Sequence, residues 1–268
     1  MSASSDERGV VVDPVTGQPA AIRFEGVHKT LGGQQVLRGL DLVIPKGRIT
    51  AIIGRSGVGK SVTLKHMLGL MRPDQGRIWI GDLELTTATE RQVRQQRNRF
   101  GVVFQQGALF DSMNVLDNVA FPLVEHTKMK RAAIRDKVLA LLDQVGLEGG
   151  ENKLPGELSG GMRKRVGLAR ALVRDPDFVL FDEPTSGLDP VLVAAMDKLI
   201  VDMQRARPEL TSVVISHDVG AVVRIAHKIA FLYEGTIAHV GDPAYFQQST
   251  DPLVVQFMTG SLEGPIEV

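Results

Sequence analysis

The sequence predicts an α/β fold with a mostly parallel sheet, an antiparallel β layer near the N-terminus and an inserted α-helical subdomain. Three observations indicate this fold. Short apolar runs suited to buried strands alternate with stretches of helical period. A glycine-rich loop joins one of these runs to a helix. A long helical stretch without strand-like runs interrupts the alternation, which predicts an insertion.

The composition is that of an ordinary globular protein. The chain has 268 residues, of which 43% are hydrophobic and 23% charged, so one large domain or one domain with an insertion is expected. A formal net charge of +0 predicts no strong electrostatic attraction of the whole chain to nucleic acid or to acidic membranes. The lack of cysteine excludes disulfides and thiolate metal sites. Neither a membrane-spanning run nor a signal peptide is evident, so we expect any work at a membrane to need a partner.

The N-terminal part predicts a disordered segment followed by a β hairpin. Residues 1–20 are polar with little periodicity, and we expect them to be disordered. Ile22–Phe24 and Leu40–Ile44 then alternate apolar and polar residues, with Gly32 and Gly33 between them. This pattern opens a domain that we expect to span 21–250. The remaining residues, 251–268, form a tail with a short amphipathic stretch.

The next stretch contains the phosphate-binding pattern of a P-loop NTPase core. An apolar run ends at Ile53, and Gly54–Ser61 then reads Gly-Arg-Ser-Gly-Val-Gly-Lys-Ser before a helix. The glycines let backbone N–H groups approach phosphate oxygens, Lys60 would reach the β- and γ-phosphates, and the Ser61 hydroxyl would bind Mg²⁺. The alternative is a chance match in a glycine-rich loop. The expected nucleotide-binding residues here are Gly54, Arg55, Ser56, Gly57, Val58, Gly59, Lys60, Ser61 and Val62.

Two carboxylates follow a buried strand later in the chain. Phe178–Phe181 is apolar throughout and leads into Asp182 and Glu183. Ligands of open α/β sheets bind at the carboxyl ends of the strands. We therefore expect Asp182 to hold Mg²⁺, directly or through water, and Glu183 to polarise the water that attacks the γ-phosphate. The alternative is a pair of solvated loop acids.

Two further polar residues end neighbouring strands. His217 follows the apolar run 212–216, and Gln105 follows the run 101–104. A single His is more often a structural hydrogen-bonder, but its place at the same sheet edge favours a catalytic role. The Gln105 amide would bind Mg²⁺ or water and report the nucleotide state to the helical insert. By itself, a Gln at a strand end would not indicate any function.

The predicted insertion spans about residues 110–170. It includes Val115–Val145, which has helical period, and it contains a second glycine pair at Ser159-Gly160-Gly161. Ser159 suits the N-cap of the following helix, and the glycines would expose N–H donors to an anion. An ordinary capped helix start is the alternative. Because the chain already has one phosphate loop, a second anion site suggests that the γ-phosphate of another chain's ATP binds there.

Together these motifs resemble those of an ABC transporter ATPase subunit. The resemblance covers about Ile22–Gly241 and rests on six motifs in family order: Gly54–Ser61, Gln105, Leu158–Met162, Asp182-Glu183, Ser186–Asp189 and His217. It implies Walker A, Q-loop, signature, Walker B, D-loop and H-loop roles, respectively. It also implies a head-to-tail dimer that binds two ATP molecules, each between Walker A of one copy and the signature of the other.

The sequence departs from the family pattern at two places. Thr30-Leu31 stands where the family carries an aromatic residue that stacks on adenine, which implies an apolar contact instead. Met162 replaces the usual Gln of the signature. With Phe104–Phe110 and Asn114–Leu123, it resembles the Mla/Mce-type phospholipid transport ATPases. That subgroup implies a membrane permease and Mce-type lipid-binding subunits as partners, a location at the cytoplasmic face of the inner membrane, and a tail that packs on the neighbouring copy.

Three other functions were weighed. ABC ATPases that act on DNA carry a long coiled coil between Walker A and the signature, and the 98 residues between Ser61 and Gly160 are too few for one. The basic run Arg91, Arg94, Arg97 and Arg99 reads as a solvated helix face, so no nucleic-acid partner is expected. An importer ATPase for another substrate and a soluble ABC ATPase without a permease stay open, because the partners determine the cargo.

Overall fold

A six-stranded sheet forms the centre of the structure. The computed structural model describes residues 4–5 and 11–267. Its strands are β1 (Ser4–Ser5), β2 (Val11–Val12), β3 (Ala20–Leu31), β4 (Gln34–Pro45), β5 (Ile49–Ile53), β6 (Gln75–Ile80), β7 (Leu83–Glu84), β8 (Phe100–Val103), β9 (Phe178–Asp182), β10 (Thr211–Ile215), β11 (Lys228–Tyr233) and β12 (Thr236–Gly241). Its α-helices are α1 (Lys60–Met67), α2 (Glu90–Arg97), α3 (Val115–His126), α4 (Arg131–Gln144), α5 (Gly160–Leu172), α6 (Pro190–Ala206), α7 (Val219–Ile225), α8 (Pro243–Gln248) and α9 (Pro252–Thr259).

The central sheet has the order β12-β11-β5-β10-β9-β8. Five of its strands run parallel, and β12 joins as the second strand of an antiparallel hairpin. Every residue of β5 and β10 is buried, because helices or the second sheet cover both faces. The short apolar runs of the sequence therefore correspond to these strands, and the predicted mostly parallel sheet is confirmed.

A four-stranded antiparallel sheet packs against the first one. Its order is β4-β3-β6-β7, and the long β3–β4 hairpin turns at Gly32 and Gly33, which both have positive φ. Ile22, Phe24 and Leu40 of this layer share a buried core with Ile52 of β5 and with α1. The predicted antiparallel layer is thus confirmed, and it supports the loop between β5 and α1.

The inserted helices lie beyond the edge strand β8. Helices α3, α4 and α5, with a 3₁₀ turn at Pro155–Glu157, pack around buried residues that include Val119, Val138 and Val166. Asn118 is fully buried, and its amide bonds the backbone of Phe110, which ties the start of the insert to α3. This core is continuous with buried residues of β9, β10 and α6, so the insert packs directly on the central sheet, and its bounds of 110–170 stay a prediction.

The N-terminal segment differs from the expected disorder over residues 11–20. The side chain of Asp13 is fully buried and pairs with Lys228, which is itself only 2% exposed. The Lys228 ammonium also donates to the Val43 carbonyl over 2.7 Å, and Thr16 donates to Asp13 from its N–H and hydroxyl. A buried ion pair therefore fixes this polar segment on the sheet. Residues 1–3 and 6–10 of the expected disordered segment lie outside those described.

The C-terminal tail packs on its own chain. Val254 of α9 and Ile266 are buried against β11, and the Gln256 amide bonds both the N–H and the carbonyl of Ile266, at 2.6 and 3.0 Å. A contact of this tail with a second copy stays a prediction. Within the described part of the chain, no helix combines the length and apolar character needed to cross a membrane.

Candidate active site

Glycines shape the loop between β5 and α1. Gly54, Gly57 and Gly59 all have positive φ, at 151°, 80° and 116°. A Cβ atom on Gly54 would lie 2.3 Å from the Leu232 carbonyl oxygen, and one on Gly59 would lie 3.0 Å from the Leu37 side chain. Only glycine fits both the backbone conformation and the space at these two positions. The sequence pattern thus predicted a loop whose backbone, not its side chains, forms the surface.

The N-terminus of α1 lacks a side-chain cap. Its N-cap is Gly59, whereas Thr89, Asn114, Ser159 and Asp189 cap other helices through their side-chain oxygens. The first turn of a helix has N–H groups without intrahelical acceptors, and the helix dipole is positive there. The α1 terminus therefore presents N–H donors to an anion, as at other phosphate-binding loops.

Lys60 spans the loop from the first turn of α1. It is 8% exposed, and its Nζ donates to the carbonyls of Gly54 and Arg55, over 2.6 and 2.9 Å. Burial lowers the pKa of Lys60, while the nearby carboxylates of Glu183 and Asp182 act in the opposite direction. The ammonium is thus held at the loop, close to two negative charges.

A cavity of about 350 Å³ lies between the loop and the ends of the parallel strands. That volume suits a small-molecule site, which typically has about 300–1,000 Å³. The loop contributes one wall, and residues that follow β8, β9 and β10 contribute the other. The lining residues are Ser56, Gly57, Gly59, Lys60, Ser61, Val62, Gln105, Asp182, Glu183, Ile215 and His217. Of the predicted loop residues, Gly54, Arg55 and Val58 shape the loop without lining the cavity.

Glu183 and His217 form a pair at the cavity. His217 Nδ1 lies 2.8 Å from Glu183 Oε2, within hydrogen-bond distance of a carboxylate oxygen that can accept from it. The Glu183 side chain is 15% exposed, whereas that of His217 is 65% exposed. Glu183 has a φ of +52°, a conformation that costs a non-glycine residue about 1–3 kcal/mol. Such strain is typical of functional sites, and here it directs the carboxylate into the cavity.

Asp182 lies next to this pair at the end of β9. Burial raises the pKa of Asp182, the negative charge of Glu183 raises it further, and Lys60 and Lys65 oppose the shift. Two adjacent carboxylates with one buried ammonium produce an excess of negative charge. A cation bound between them would relieve that excess.

The residues predicted to hold Mg²⁺ fit such an ion. Ser61, Asp182 and Gln105 all line the same cavity and offer a hydroxyl, a carboxylate and an amide, which are oxygen ligands of the kind that Mg²⁺ prefers. In the described residues, no group of three or more His, Cys, Asp or Glu forms a metal cage. Mg²⁺ is usually bound by one or two carboxylates together with phosphates and water.

Gln105 connects the cavity to a turn behind it. Its Nε2 donates to Ser186 Oγ over 3.0 Å, and Ser186 lies on the turn that joins β9 to α6. Gln105 follows β8 directly and precedes the helical insert. Gln105 thus lies between the cavity and the insert along the chain, and its reporting role stays a prediction.

Ser159, Gly160 and Gly161 lie away from the cavity. Ser159 caps α5 by accepting from the Met162 N–H over 3.2 Å, which agrees with the N-cap assignment. The two glycines pack near the side chains of Leu188 and Leu192. They do not line the cavity of their own chain. Their contact with the nucleotide of another copy stays a prediction.

Three features of the site escaped the sequence analysis. Lys164 is 5% exposed and donates to the carbonyls of Glu183 and Ser186. The Arg55 guanidinium donates to the Glu267 carbonyl of the tail. The backbone conformation of Glu183 has no local sequence signature, and Lys164 is one of three consecutive basic residues after the glycine pair, so its position alone gave no signal.

Leu31 ends β3 at the place where the family carries its aromatic residue. It is 39% exposed, which is high for a large apolar side chain. The adjacent Thr30 N–H donates to Asp74, which fixes the end of the strand. An exposed aliphatic side chain is therefore available at this position, and its contact with the adenine ring of ATP stays a prediction.

Comparisons with known proteins agree with this geometry. The family model described as ABC transporter matches residues 37–186. The probable ribonucleotide transport ATP-binding protein mkl of Mycobacterium leprae is 44% identical over 246 residues, 92% of this chain and 71% of the relative. The intermembrane phospholipid transport system ATP-binding protein MlaF of Haemophilus influenzae is 41% identical over 235 residues, 88% of this chain and 89% of the relative.

A solved structure has the same fold. The dimeric, post-hydrolysis structure of the ATP-binding cassette MJ0796, described as bound to ADP and Pi, superposes with a TM-score of 0.75. It is 28% identical to this chain, and the match covers 83% of this chain and 98% of the other. The glycine loop, the strand ends and the helical insert thus belong to one shared architecture.

Proposed function

This chain belongs to the ABC transporter family and hydrolyses ATP, and from that premise we propose that it drives a phospholipid transporter of the Mla/Mce type. The observation that carries the hydrolytic part of this proposal is the Glu183–His217 pair at the cavity that Lys60 lines from the loop side, whereas the phospholipid part rests on the similarity to MlaF. This arrangement holds a base opposite a phosphate-binding loop. Family membership confirms the resemblance drawn from the six motifs.

The chain's own residues have distinct roles in hydrolysis. The N–H groups of α1 and the Lys60 ammonium hold the phosphates, and Glu183 accepts a proton from the attacking water. His217, bonded to Glu183 Oε2, orients that carboxylate. Ser61, Asp182 and Gln105 would hold Mg²⁺, which would neutralise phosphate charge when bound. Positioning and charge account for most of the catalysis.

Each chain provides half of two active sites. Ser159–Gly161 lie outside the cavity of their own chain, and the related cassette MJ0796 is dimeric in its post-hydrolysis state. We infer that two copies associate head to tail, so that the Ser159 hydroxyl and the glycine N–H groups of one copy contact the ATP of the other. Closing and reopening of this pair would move the helical insert through Gln105 against a membrane permease.

The proposed cargo is phospholipid. MlaF is described as part of an intermembrane phospholipid transport system, and its match extends over nearly the whole of both chains. Mce-type lipid-binding subunits and a permease would be the partners, and the location would be the cytoplasmic face of the inner membrane. Ribonucleotide is a second candidate, because the relative mkl is described as a probable ribonucleotide transport protein.

The hydrolytic site is tested with Glu183→Gln. We expect ATP binding to persist and hydrolysis to fall about 100- to 10,000-fold, the range that general bases contribute. Glu234→Gln is the matched control, because Glu234 also has a positive φ, at 47°, but lies outside the cavity. Phosphate release and calorimetry measure the two properties. Normal turnover in Glu183→Gln would remove the base assignment.

The phosphate loop and the dimer are tested separately. Lys60→Ala should weaken ATP binding by at least about tenfold, since charge-assisted hydrogen bonds contribute roughly 1.5–3 kcal/mol. Ser159→Arg should leave binding to the single chain intact and abolish hydrolysis in the assembled transporter. Full activity of Ser159→Arg would contradict the composite site.

The cargo is tested on the protein purified with its native partners in detergent. Mass spectrometry of the bound small molecules should find phospholipid, and pull-down should recover a protein with several membrane spans. Recovery of ribonucleotides instead would favour the second candidate. Recovery from the soluble fraction without any membrane protein would overturn the transporter assignment.

A further inference from the structure

Lys164 links the signature to the turn that carries the proposed base. It lies on α5, five residues after Ser159, and is only 5% exposed. Its Nζ donates to the Ser186 carbonyl over 2.7 Å and to the Glu183 carbonyl over 3.2 Å. Burial lowers the pKa of Lys164, and the Glu183 charge opposes that shift. A buried ammonium is thus placed on the backbone of the β9–α6 turn.

That turn depends on such external support. Glu183 has a φ of +52°, and its N–H donates to the Ile215 carbonyl over 2.9 Å, so β10 holds it from one side. Lys164 holds the carbonyl from the other side. The same ammonium also holds Ser186, whose hydroxyl accepts from Gln105. The position of the Glu183 carboxylate is therefore set in part by α5.

The two ends of this connection serve different nucleotides. Under the proposed function, on which this inference rests, Ser159–Gly161 contact the ATP of the partner copy, and Glu183 acts on the ATP of its own chain. Lys164 lies five residue steps after Ser159, which is a rise of about 7.5 Å along a rigid helix. We propose that Lys164 is a positioning residue that couples the two sites, so that ATP engaged at one signature sets the Glu183 turn of the other site.

A second contact joins the same two segments. A Cβ on Gly160 would lie 3.8 Å from Leu188 Cδ2, and one on Gly161 would lie 3.4 Å from Leu192 Cδ1. Leu188 lies on the β9–α6 turn and Leu192 at the start of α6. The signature glycines therefore pack directly against the β9–α6 turn, whose carbonyls accept the hydrogen bonds from Lys164. Movement of α5 relative to this turn would strain both contacts together.

The test uses assembled transporters with two differently tagged copies of the chain. The reporting copy is intact or carries Lys164→Met. The other copy carries either Glu183→Gln, which keeps its ATP bound but unhydrolysed, or Lys60→Ala, and the ATP concentration is set so that it fills an intact site and leaves the weakened Lys60→Ala site mostly empty. Only the reporting copy hydrolyses ATP, so its rate can be compared with the opposite site occupied or empty.

We expect occupancy of the opposite site to change the rate of an intact reporting copy about tenfold, within the 5- to 150-fold range of typical coupling. In the Lys164→Met reporter, the ratio of the rates with the opposite site occupied and empty should fall to less than about twofold. KM should be nearly unchanged, and kcat should be about 10- to 100-fold lower, because a 1 Å misplacement of the Glu183 carboxylate alone costs about that much. Lys164→Arg, which keeps two donors, should restore the ratio.

Arg165→Met is the matched control, because Arg165 lies on the same helix and donates to the Val145 carbonyl, away from the turn. It should leave the ratio unchanged. If Lys164→Met does not fold, Lys164→Gln, which removes the charge and keeps an amide donor, carries the same comparison. The proposed coupling is overturned if the folded Lys164 variant has the same rate ratio as the intact reporter. It is also overturned if the rate of the intact reporter does not depend on occupancy of the opposite site. Absence of hydrolysis in the unsubstituted assembly would instead overturn the proposed function.

Discussion

Replacing Lys228 by Met tests the buried ion pair that anchors the N-terminal segment. Lys228 is 2% exposed and its partner Asp13 is 0% exposed, so neither charge is solvated by water. Met is similar in length, and it retains most of the packing while it removes the bonds to Asp13 and to the Val43 carbonyl. Removing one partner of a buried pair typically costs about 3–5 kcal/mol, because the other charge stays behind uncompensated.

The structure places the expected loss at the lower end of that range. Asp13 would keep its two bonds from Thr16, at 2.8 and 2.9 Å, so part of its charge stays compensated. A loss of about 3 kcal/mol corresponds to a decrease in Tm of roughly 6–12 °C for a chain of this size. Calorimetry at pH 7 measures it, and ATP hydrolysis at 25 °C should persist, since Lys228 lies outside the cavity.

Two further variants make the result interpretable. Lys46→Met removes an ion pair in which Lys46 and Glu209 are 57% and 84% exposed, and it should cost less than about 1 kcal/mol. The double variant Asp13→Asn with Lys228→Met leaves no buried charge and should recover much of the loss. A Tm of Lys228→Met within about 1 °C of the parent would refute the anchoring of residues 11–20.

Three other variants test the proposed binding of nucleotide and Mg²⁺. His217→Ala removes the donor to Glu183 and should lower kcat about 10- to 100-fold with little change in KM; a raised KM with normal kcat would argue for substrate binding instead. The pKa of Asp182 is raised above its ordinary value of 3.8, so the folded protein loses stability as the pH rises above that value and Asp182 ionises. In the absence of nucleotide, Asp182→Asn should therefore have a higher Tm than the parent at pH 7. This difference in Tm should shrink toward pH 4. The same variant should lose the Mg²⁺ dependence of ATP binding, as measured by titration with and without EDTA. Leu31→Tyr should tighten ATP binding about fivefold or more, since stacking of an aromatic ring on a nucleobase contributes about 1–3 kcal/mol. An unchanged Kd for ATP in calorimetry would show that adenine binds elsewhere.

The sequence predicted those parts of the fold that local patterns encode. β5, β9 and β10 are buried at all but one position because both faces of the sheet are covered, and their apolar runs are visible without a structure. Residues that follow strand ends, such as Gln105 and His217, were placed correctly at one cavity, because parallel strands bring their carboxyl ends to one edge.

Long-range polar contacts were not predictable in this way. Asp13 and Lys228 are 215 positions apart, and nothing in the polar segment around Asp13 indicates a buried partner. Lys164 looks like one of several basic residues on α5, and only the fold shows that its side chain points at the β9–α6 turn. The left-handed backbone of Glu183 likewise depends on support from β10 and α5, which local propensity does not include.

The uncapped start of α1 has a practical consequence for solution studies. Under the proposed function, its N–H groups and the Lys60 ammonium bind phosphate, so they should recognise a tetrahedral oxyanion even without the rest of the nucleotide. Sulfate and phosphate buffers would therefore compete with nucleotide, and vanadate should bind there as well. The orthophosphate released by each turnover is such a competitor too, so accumulated product should slow the enzyme even while fresh substrate is abundant.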